Sequence, residues 1–187
     1  FIEKEENMVQ IPYGFVMGLI SLGWVLSRAI CCGRRRKLDW KRELQLILVY
    51  ICIVVVARFT FFPFDKVDGR VQPLIFYPDN WFPFRINLIP FVNLLDYPEK
   101  RSILINVIGN TAMFLPLGIV WPGVYRELNT HRKVVAAGIG FSLCIELLQL
   151  PFYDRVTDID DLILNSLGFL AGYGIYLLVR RCGKRRD

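Results

Sequence analysis

The sequence has few of the residues on which catalytic and metal sites most often depend. It contains one histidine, His131, and five cysteines, and no two cysteines stand in a CxxC spacing. A glycine-rich phosphate loop, a GxSxG motif and a zinc motif are also absent from the sequence. The single histidine lies in a basic connection that we place on the cytoplasmic side, opposite the polar cleft described below, so a serine or cysteine activated by histidine is excluded in that cleft.

Charged residues are few compared with apolar residues. Apolar residues make up 54% of the 187 residues and charged residues 21%, a balance that favours a membrane protein over a small soluble domain. The sequence has five apolar runs of about the 20 residues that a bilayer core requires. These runs predict an all-α integral membrane protein with five transmembrane helices, at 11–30, 44–64, 103–125, 133–150 and 162–179.

The first apolar run resembles a secretory signal only loosely, because acidic residues precede it and the basic stretch CCGRRRK follows it. We interpret it as a retained span. The predicted organisation is an N-terminal segment over 1–43, a membrane domain over 44–179 and a basic tail over 180–187.

The basic residues predict an orientation in the membrane. Most Lys and Arg residues fall in 31–43, 126–133 and the tail from Arg180, and few fall in the opposite set of connections. By the positive-inside rule, the N-terminus is expected outside and the C-terminus in the cytoplasm. The basic clusters are short and flank the spans, so we expect no nucleic-acid partner.

One long connection, 65–102, is rich in proline and aromatic residues. Prolines disfavour a long helix there, and the aromatic rings of residues such as Trp81, Phe82 and Phe91 suit the headgroup level of a bilayer. We expect an extracellular segment that lies on or dips into the membrane surface. The alternative is a loop that packs on the helices for stability alone.

Except for Arg28, the polar residues in and beside the predicted spans fall at one membrane face, the outer one in this orientation. Pairs three or four residues apart share a helical face, which predicts that they meet in an outward-facing polar cleft. The residues concerned are Arg58, Asn106, Asn110, Glu146, Gln149, Asp158, Asp161 and Asn165.

Structural roles are alternatives for several of these residues. The amides are candidates for interhelical hydrogen bonds, Asp158 for a helix N-cap and Asp160 for a solvated charge. Arg58 and Glu146 could form a buried pair that fixes packing. Glycines are expected where helices approach closely, namely Gly138, Gly140, Gly168, Gly172 and Gly174.

Carboxylate chemistry remains open as a catalytic possibility. In this hypothesis Glu146 acts as a general base, and Asp158, Asp160 or Asp161 holds a divalent cation. Arginines would then bind a phosphate group; the candidates are Arg58, Arg85 and Arg155.

Several motifs in series resemble the VanZ-like family over about residues 44–179. They are NLIPF at 87–91, NVIGNTAMFLPLG at 106–118, ELLQL, DIDDLILNSLG and the following AGYG. Within these motifs the residues carried over from the family pattern are Asn106, Asn110, Glu146, Gln149, Arg155, Asp158, Asp161 and Asn165. With Arg58, Arg85 and Asn87 they complete the candidate binding set, and Glu146 and Asp161 would be catalytic if the protein is an enzyme.

The resemblance implies a Gram-positive plasma-membrane protein that lowers susceptibility to teicoplanin. Two hypotheses follow for the mechanism. In the first, the outer cleft binds an envelope component, which could be a membrane lipid, a lipid-linked wall precursor or the drug. In the second, the protein is a membrane-embedded hydrolase or transferase acting on a lipid-linked phosphate or glycan. A transporter is less favoured, because the chain shows no repeat. The sequence identifies no cofactor and no metal.

Overall fold

The chain is mostly helical. The computed structural model describes residues 8–34, 39–62, 66–76, 85–92, 100–153 and 155–183. These residues contain five helices: α1 Tyr13–Gly33, α2 Trp40–Phe61, α3 Lys100–Val124, α4 His131–Gln149 and α5 Ile159–Gly183.

Short strands accompany the helices, so the all-α prediction needs correction. They are β1 Val9–Ile11, β2 Lys66–Val67, β3 Arg70–Val71, β4 Leu74–Phe76, β5 Ile86–Asn87 and β6 Thr157–Asp158. Two pairings are antiparallel, β1 with β4 and β2 with β3, whereas β5 and β6 are parallel. Strands of two or three residues are too short for an alternating pattern, which is why the sequence did not indicate them.

Four of the predicted spans are confirmed as helices long and apolar enough to cross a membrane, namely α1, α2, α3 and α5. The remaining predicted span, 133–150, corresponds to α4, which has 19 residues and carries Arg132, Lys133 and Glu146. Its crossing of the membrane stays a prediction, as does the orientation of the termini. Much of the proline and aromatic segment, including Trp81 and Phe82, lies outside the described residues.

The described residues form two compact units. The first comprises those of Phe1–Phe84 and Pro151–Arg155, and contains α1, α2 and β1 to β4. Helix α1 has no buried residue, and polar contacts join it to α2. The Arg28 Nε donates to the Glu43 carboxylate at 2.9 Å, and the Ser21 and Tyr50 hydroxyls lie 2.6 Å apart.

The second unit, Arg85–Leu150 with Val156–Asp187, contains α3, α4, α5 and the β5–β6 pair. Helices α3 and α5 touch backbone to backbone. A Cβ atom at Gly168 would overlap the carbonyl of Thr111, and one at Gly172 would overlap the carbonyl of Leu115. Gly118 of α3 lies equally close to the backbone of Phe169. Small residues therefore set the separation of these two helices.

The glycine predictions are confirmed in part. Gly168, Gly172 and Gly138 lie at close contacts, and the ring of Phe169 occupies the space beside Gly138. For Gly140 and Gly174 the prediction is wrong, because a methyl group added at either glycine would meet no atom within 4 Å. An aromatic core completes the packing of this unit, formed by Phe114, Trp121, Phe141 and Phe169.

Substitution of Gly172 by alanine is expected to destabilise the second unit, because the added methyl group meets a backbone carbonyl that cannot move aside. We expect a loss of about 1–3 kcal/mol in unfolding free energy. Thermal unfolding of the purified protein in detergent, followed by tryptophan fluorescence, measures the change. Gly174→Ala, on the same helix in open space, is the control and is expected to be neutral or slightly stabilising. Equal melting temperatures for the two variants would contradict this account.

Candidate functional site

A parallel pairing between two distant segments builds the site in the second unit. Ile86 pairs with Thr157 and Asn87 with Asp158, and the Thr157 N–H donates to the Arg85 carbonyl at 3.0 Å. The pairing brings the residues after Arg85 to the start of α5. As a result, the Asn87 amide donates to the Asp158 carboxylate at 3.1 Å, across 71 residues of sequence.

Glu146 joins the end of α4 to strand β6. Its side chain is only 2% exposed, and its Oε2 accepts a hydrogen bond from the Asp158 N–H at 3.1 Å. The Thr157 hydroxyl donates to the Glu146 carbonyl at 2.7 Å. Both the side chain and the backbone of Glu146 therefore fix the connection that leads into α5.

Asn110 links α3 to α5. Its Nδ2 donates to Asp161 Oδ1 at 2.6 Å and lies 3.4 Å from the Asn106 oxygen, one helical turn away. A short hydrogen bond from an amide to a carboxylate is among the stronger contacts between neutral and charged groups. The shared faces predicted from the helical spacing of Asn106 and Asn110 are thus confirmed. We name Asn106, Asn110, Glu146, Asp158 and Asp161 the polar cluster.

The first turn of α5 is capped as predicted. Asp158 precedes the helix, and its Oδ1 accepts from the Asp160 N–H at 3.0 Å, the contact expected of an N-cap. The same oxygen accepts the Asn87 amide, so Asp158 has structural roles at both the helix end and the strand pair.

The prediction that Asp160 is a solvated charge is wrong. Asp160 is 3% exposed, and both of its carboxylate oxygens accept from the Phe91 N–H, at 2.8 and 3.1 Å. Phe91 has a φ of 67°, in the left-handed region that non-glycine residues seldom adopt. Asp160 therefore holds the segment after β5 in an unfavourable backbone conformation.

Gln149 and Asn165 are buried, at 5% and 1% exposure. Asn165 lies one turn beyond Asp161 on α5, as its spacing predicted. Sequence reasoning missed Thr157 and Ser142. Ser142 is fully buried four residues before Glu146, and that spacing on one helical face was the signal available.

The three candidate arginines are distributed over both units. Arg85 belongs to the second unit, where its carbonyl accepts from Thr157 and its side chain is exposed. Arg58 and Arg155 belong to the first unit and bond to carbonyls at the C-terminal end of α2. Arg58 donates to the Phe62 carbonyl at 3.3 Å, and Arg155 donates to the Phe61 carbonyl at 3.2 Å. A cation at that helix end is favourable, which gives both arginines a structural role. The predicted pairing of Arg58 with Glu146 joins residues of different units and stays a prediction.

Metal coordination lacks geometric support in the described part of the chain. No group of three or more His, Cys, Asp or Glu side chains among those residues is arranged to hold a metal ion.

Four long apolar helices indicate a multi-pass membrane protein, and the polar cluster around the buried Glu146 joins one end of α3, α4 and α5. The chain belongs to the VanZ/LLP1 family, whose model matches residues 47–180, and this confirms the resemblance drawn from the motifs. It is similar to Protein VanZ of Enterococcus faecium, with 29% identity over 97 residues. That match covers 52% of this chain and 55% of the relative, so the chain spans about half the length of that protein. No solved structure matches.

Removal of the Asp160 carboxylate is expected to break its hydrogen bond with the Phe91 N–H. Asp160→Ala is expected to cost about 1.5–3 kcal/mol of unfolding free energy, the usual contribution of a hydrogen bond to a charged group. Asp160→Asn keeps one oxygen and is expected to lose less. Melting temperatures in detergent test the order of stability: wild type, then Asn, then Ala. If the two variants melt together, the hydrogen bond to Phe91 is not what Asp160 contributes.

Proposed function

We propose that this protein lowers the susceptibility of a Gram-positive cell to teicoplanin-type lipoglycopeptides by binding a component of the cell envelope at the polar cluster. The component is a membrane lipid or a lipid-linked wall precursor, or else the drug itself. Family membership supports the kind of function, and the cluster supports the place where binding occurs.

The observation that carries the proposal is the convergence of side chains from three helices. Asn110 of α3, Glu146 of α4 and Asp161 of α5 come from separate apolar helices, and two of the three carry carboxyl groups. Placing ionisable groups within apolar helices costs several kcal/mol unless they face one another or a polar cavity. Hydrogen bonding of the helices alone would need amides and hydroxyls only, which are less costly to bury. The choice of carboxylates therefore favours a ligand-binding role in addition to the hydrogen bonds that they accept from the Asp158 N–H and the Asn110 amide.

The distribution of basic residues supports an outward-facing position for the cluster. Thr130 and the basic residues after it lie at the start of α4, and Arg180 and Arg181 lie in the last turn of α5. The polar cluster is at the opposite end of both helices. If the basic ends are cytoplasmic, the cluster lies near the outer surface, where lipid-linked precursors are exposed to the drug.

A membrane-embedded hydrolase or transferase acting on a lipid-linked phosphate or glycan is the second candidate. It is favoured by one observation: the polar cluster contains two carboxyl groups in unlike surroundings, the buried one of Glu146 and the part-exposed one of Asp161. Pairs of carboxyl groups in unlike surroundings serve as acid and base in many enzymes.

The inhibitory concentration of teicoplanin tests the proposal in a susceptible Gram-positive host expressing the chain. The wild-type chain is expected to raise this concentration, and Glu146→Ala and Asp161→Ala to abolish most of the rise at equal membrane abundance. Each variant loses a carboxylate of the cluster. Vancomycin is measured in parallel, to learn whether the rise is specific to teicoplanin.

Glu127→Ala is the matched control, because Glu127 is exposed in the connection between α3 and α4. It is expected to retain the wild-type rise. Glu146→Gln separates the two candidates: its amide oxygen can still accept from Asp158, so a binding site keeps part of the effect, whereas an acid or base is lost. A full rise with both alanine variants would refute a role for the cluster.

A further inference from the structure

Two buried polar residues, Ser142 of α4 and Asn165 of α5, lie one helical turn from the polar cluster, toward the middle of their helices. At the deeper level, the Phe169 ring fills the space beside Gly138. At the shallower level, Glu146 accepts from the Asp158 N–H. These two contacts fix which residues of the antiparallel helices α4 and α5 lie at the same level. Ser142 lies midway between Gly138 and Glu146 on its face of α4.

The same register places Asn165 at the level of Ser142. Asn165 lies one turn from Phe169 and one turn from Asp161 on α5, so that Ser142 and Asn165 occupy matching positions on the two helices. Ser142 is 0% exposed and Asn165 is 1% exposed. Ser142 and Asn165 are therefore two buried polar residues at one level of the two helices.

Each of these two residues carries a buried oxygen without a hydrogen-bond partner among the described residues, Oγ of Ser142 and Oδ1 of Asn165. Nearly all buried polar groups in proteins are paired, so an unpaired one calls for an explanation. Hydrogen bonding between the helices does not supply it, since helix-joining side chains would be paired with each other. Two unpaired oxygens at one level instead indicate a position for a third group.

The chemistry of the two atoms identifies that group. The amide oxygen of Asn165 only accepts, and the Ser142 hydroxyl can donate or accept, so the group must offer a donor. The Phe169 ring and Ile145 are buried nearby in apolar surroundings, which disfavour a charged group. A neutral hydroxyl meets both conditions.

We propose that Ser142 and Asn165 form the inner end of the polar cluster and bind a hydroxyl group, either of a water molecule or of a sugar or polyol on the ligand. This inference deepens the proposed function and rests on it for the identity of the ligand. The hydration of the position can be measured whether or not the chain confers resistance.

Cysteine modification tests the proposal. The five native cysteines, all free in the structure, are replaced by alanine or serine, and Ser142→Cys or Asn165→Cys is introduced. The protein is reconstituted in phosphatidylcholine vesicles and treated with 2-aminoethyl methanethiosulfonate. Because this reagent attacks the thiolate, which forms only where water reaches the thiol, the rate reports hydration. Ile145→Cys, at a position 4% exposed on the same helix, is the control.

Modification of Ser142→Cys and Asn165→Cys about tenfold faster than Ile145→Cys is the expected result for a hydrated position. Rates equal to the control at both positions would overturn the inference. A second arm adds a diglycosyl diacylglycerol to the vesicles. Slower modification would assign the hydroxyl to a ligand sugar, and an unchanged fast rate would assign it to water. Fast modification in a chain that gives no teicoplanin phenotype would reject the proposed function and leave the site standing.

Discussion

A single buried carboxylate holds the polar end of the second unit together. Glu146 lies where apolar helices meet, and a polar group in such surroundings must find a partner. Its partner is the backbone N–H of Asp158, so the side chain fixes the chain at the point where β6 becomes α5. The pairing of β5 with β6 and the hydrogen bond from Asn87 are made at the same residue, Asp158. Losing the carboxylate would therefore free several contacts at once.

Close helix packing is the second condition for the polar cluster. The Asn110 side chain is short, and its 2.6 Å contact with Asp161 requires the backbones of α3 and α5 to be near each other. Gly168 provides that proximity, since it touches the backbone of Thr111, the residue after Asn110. In helix pairs within membranes, small residues commonly bring polar side chains into reach of one another. The glycines and the cluster are thus parts of one arrangement.

Much of this arrangement could be predicted from helical spacing. Asn106 with Asn110, and Asp161 with Asn165, share faces at intervals of four, and the same spacing identified Gly168 and Gly172. The parallel pairing of β5 with β6 could not be predicted, because two residues contain no period and the partners are 71 residues apart. Because this pairing was not predicted, nothing in the sequence indicated that the Phe91 N–H would lie beside Asp160, and Asp160 was wrongly expected to be a solvated charge.

Helix α1 differs from the other helices in having no buried residue. Its apolar side chains have to be covered by the hydrocarbon of the bilayer, while polar contacts attach it to α2, from Arg28 to Glu43 and from Ser21 to Tyr50. Hydrogen bonds and ion pairs gain strength as the surrounding dielectric constant falls. We therefore expect the water content around α1 to control how firmly it is attached to α2, and the helix pair to be held more tightly in an intact bilayer than in a more hydrated detergent micelle.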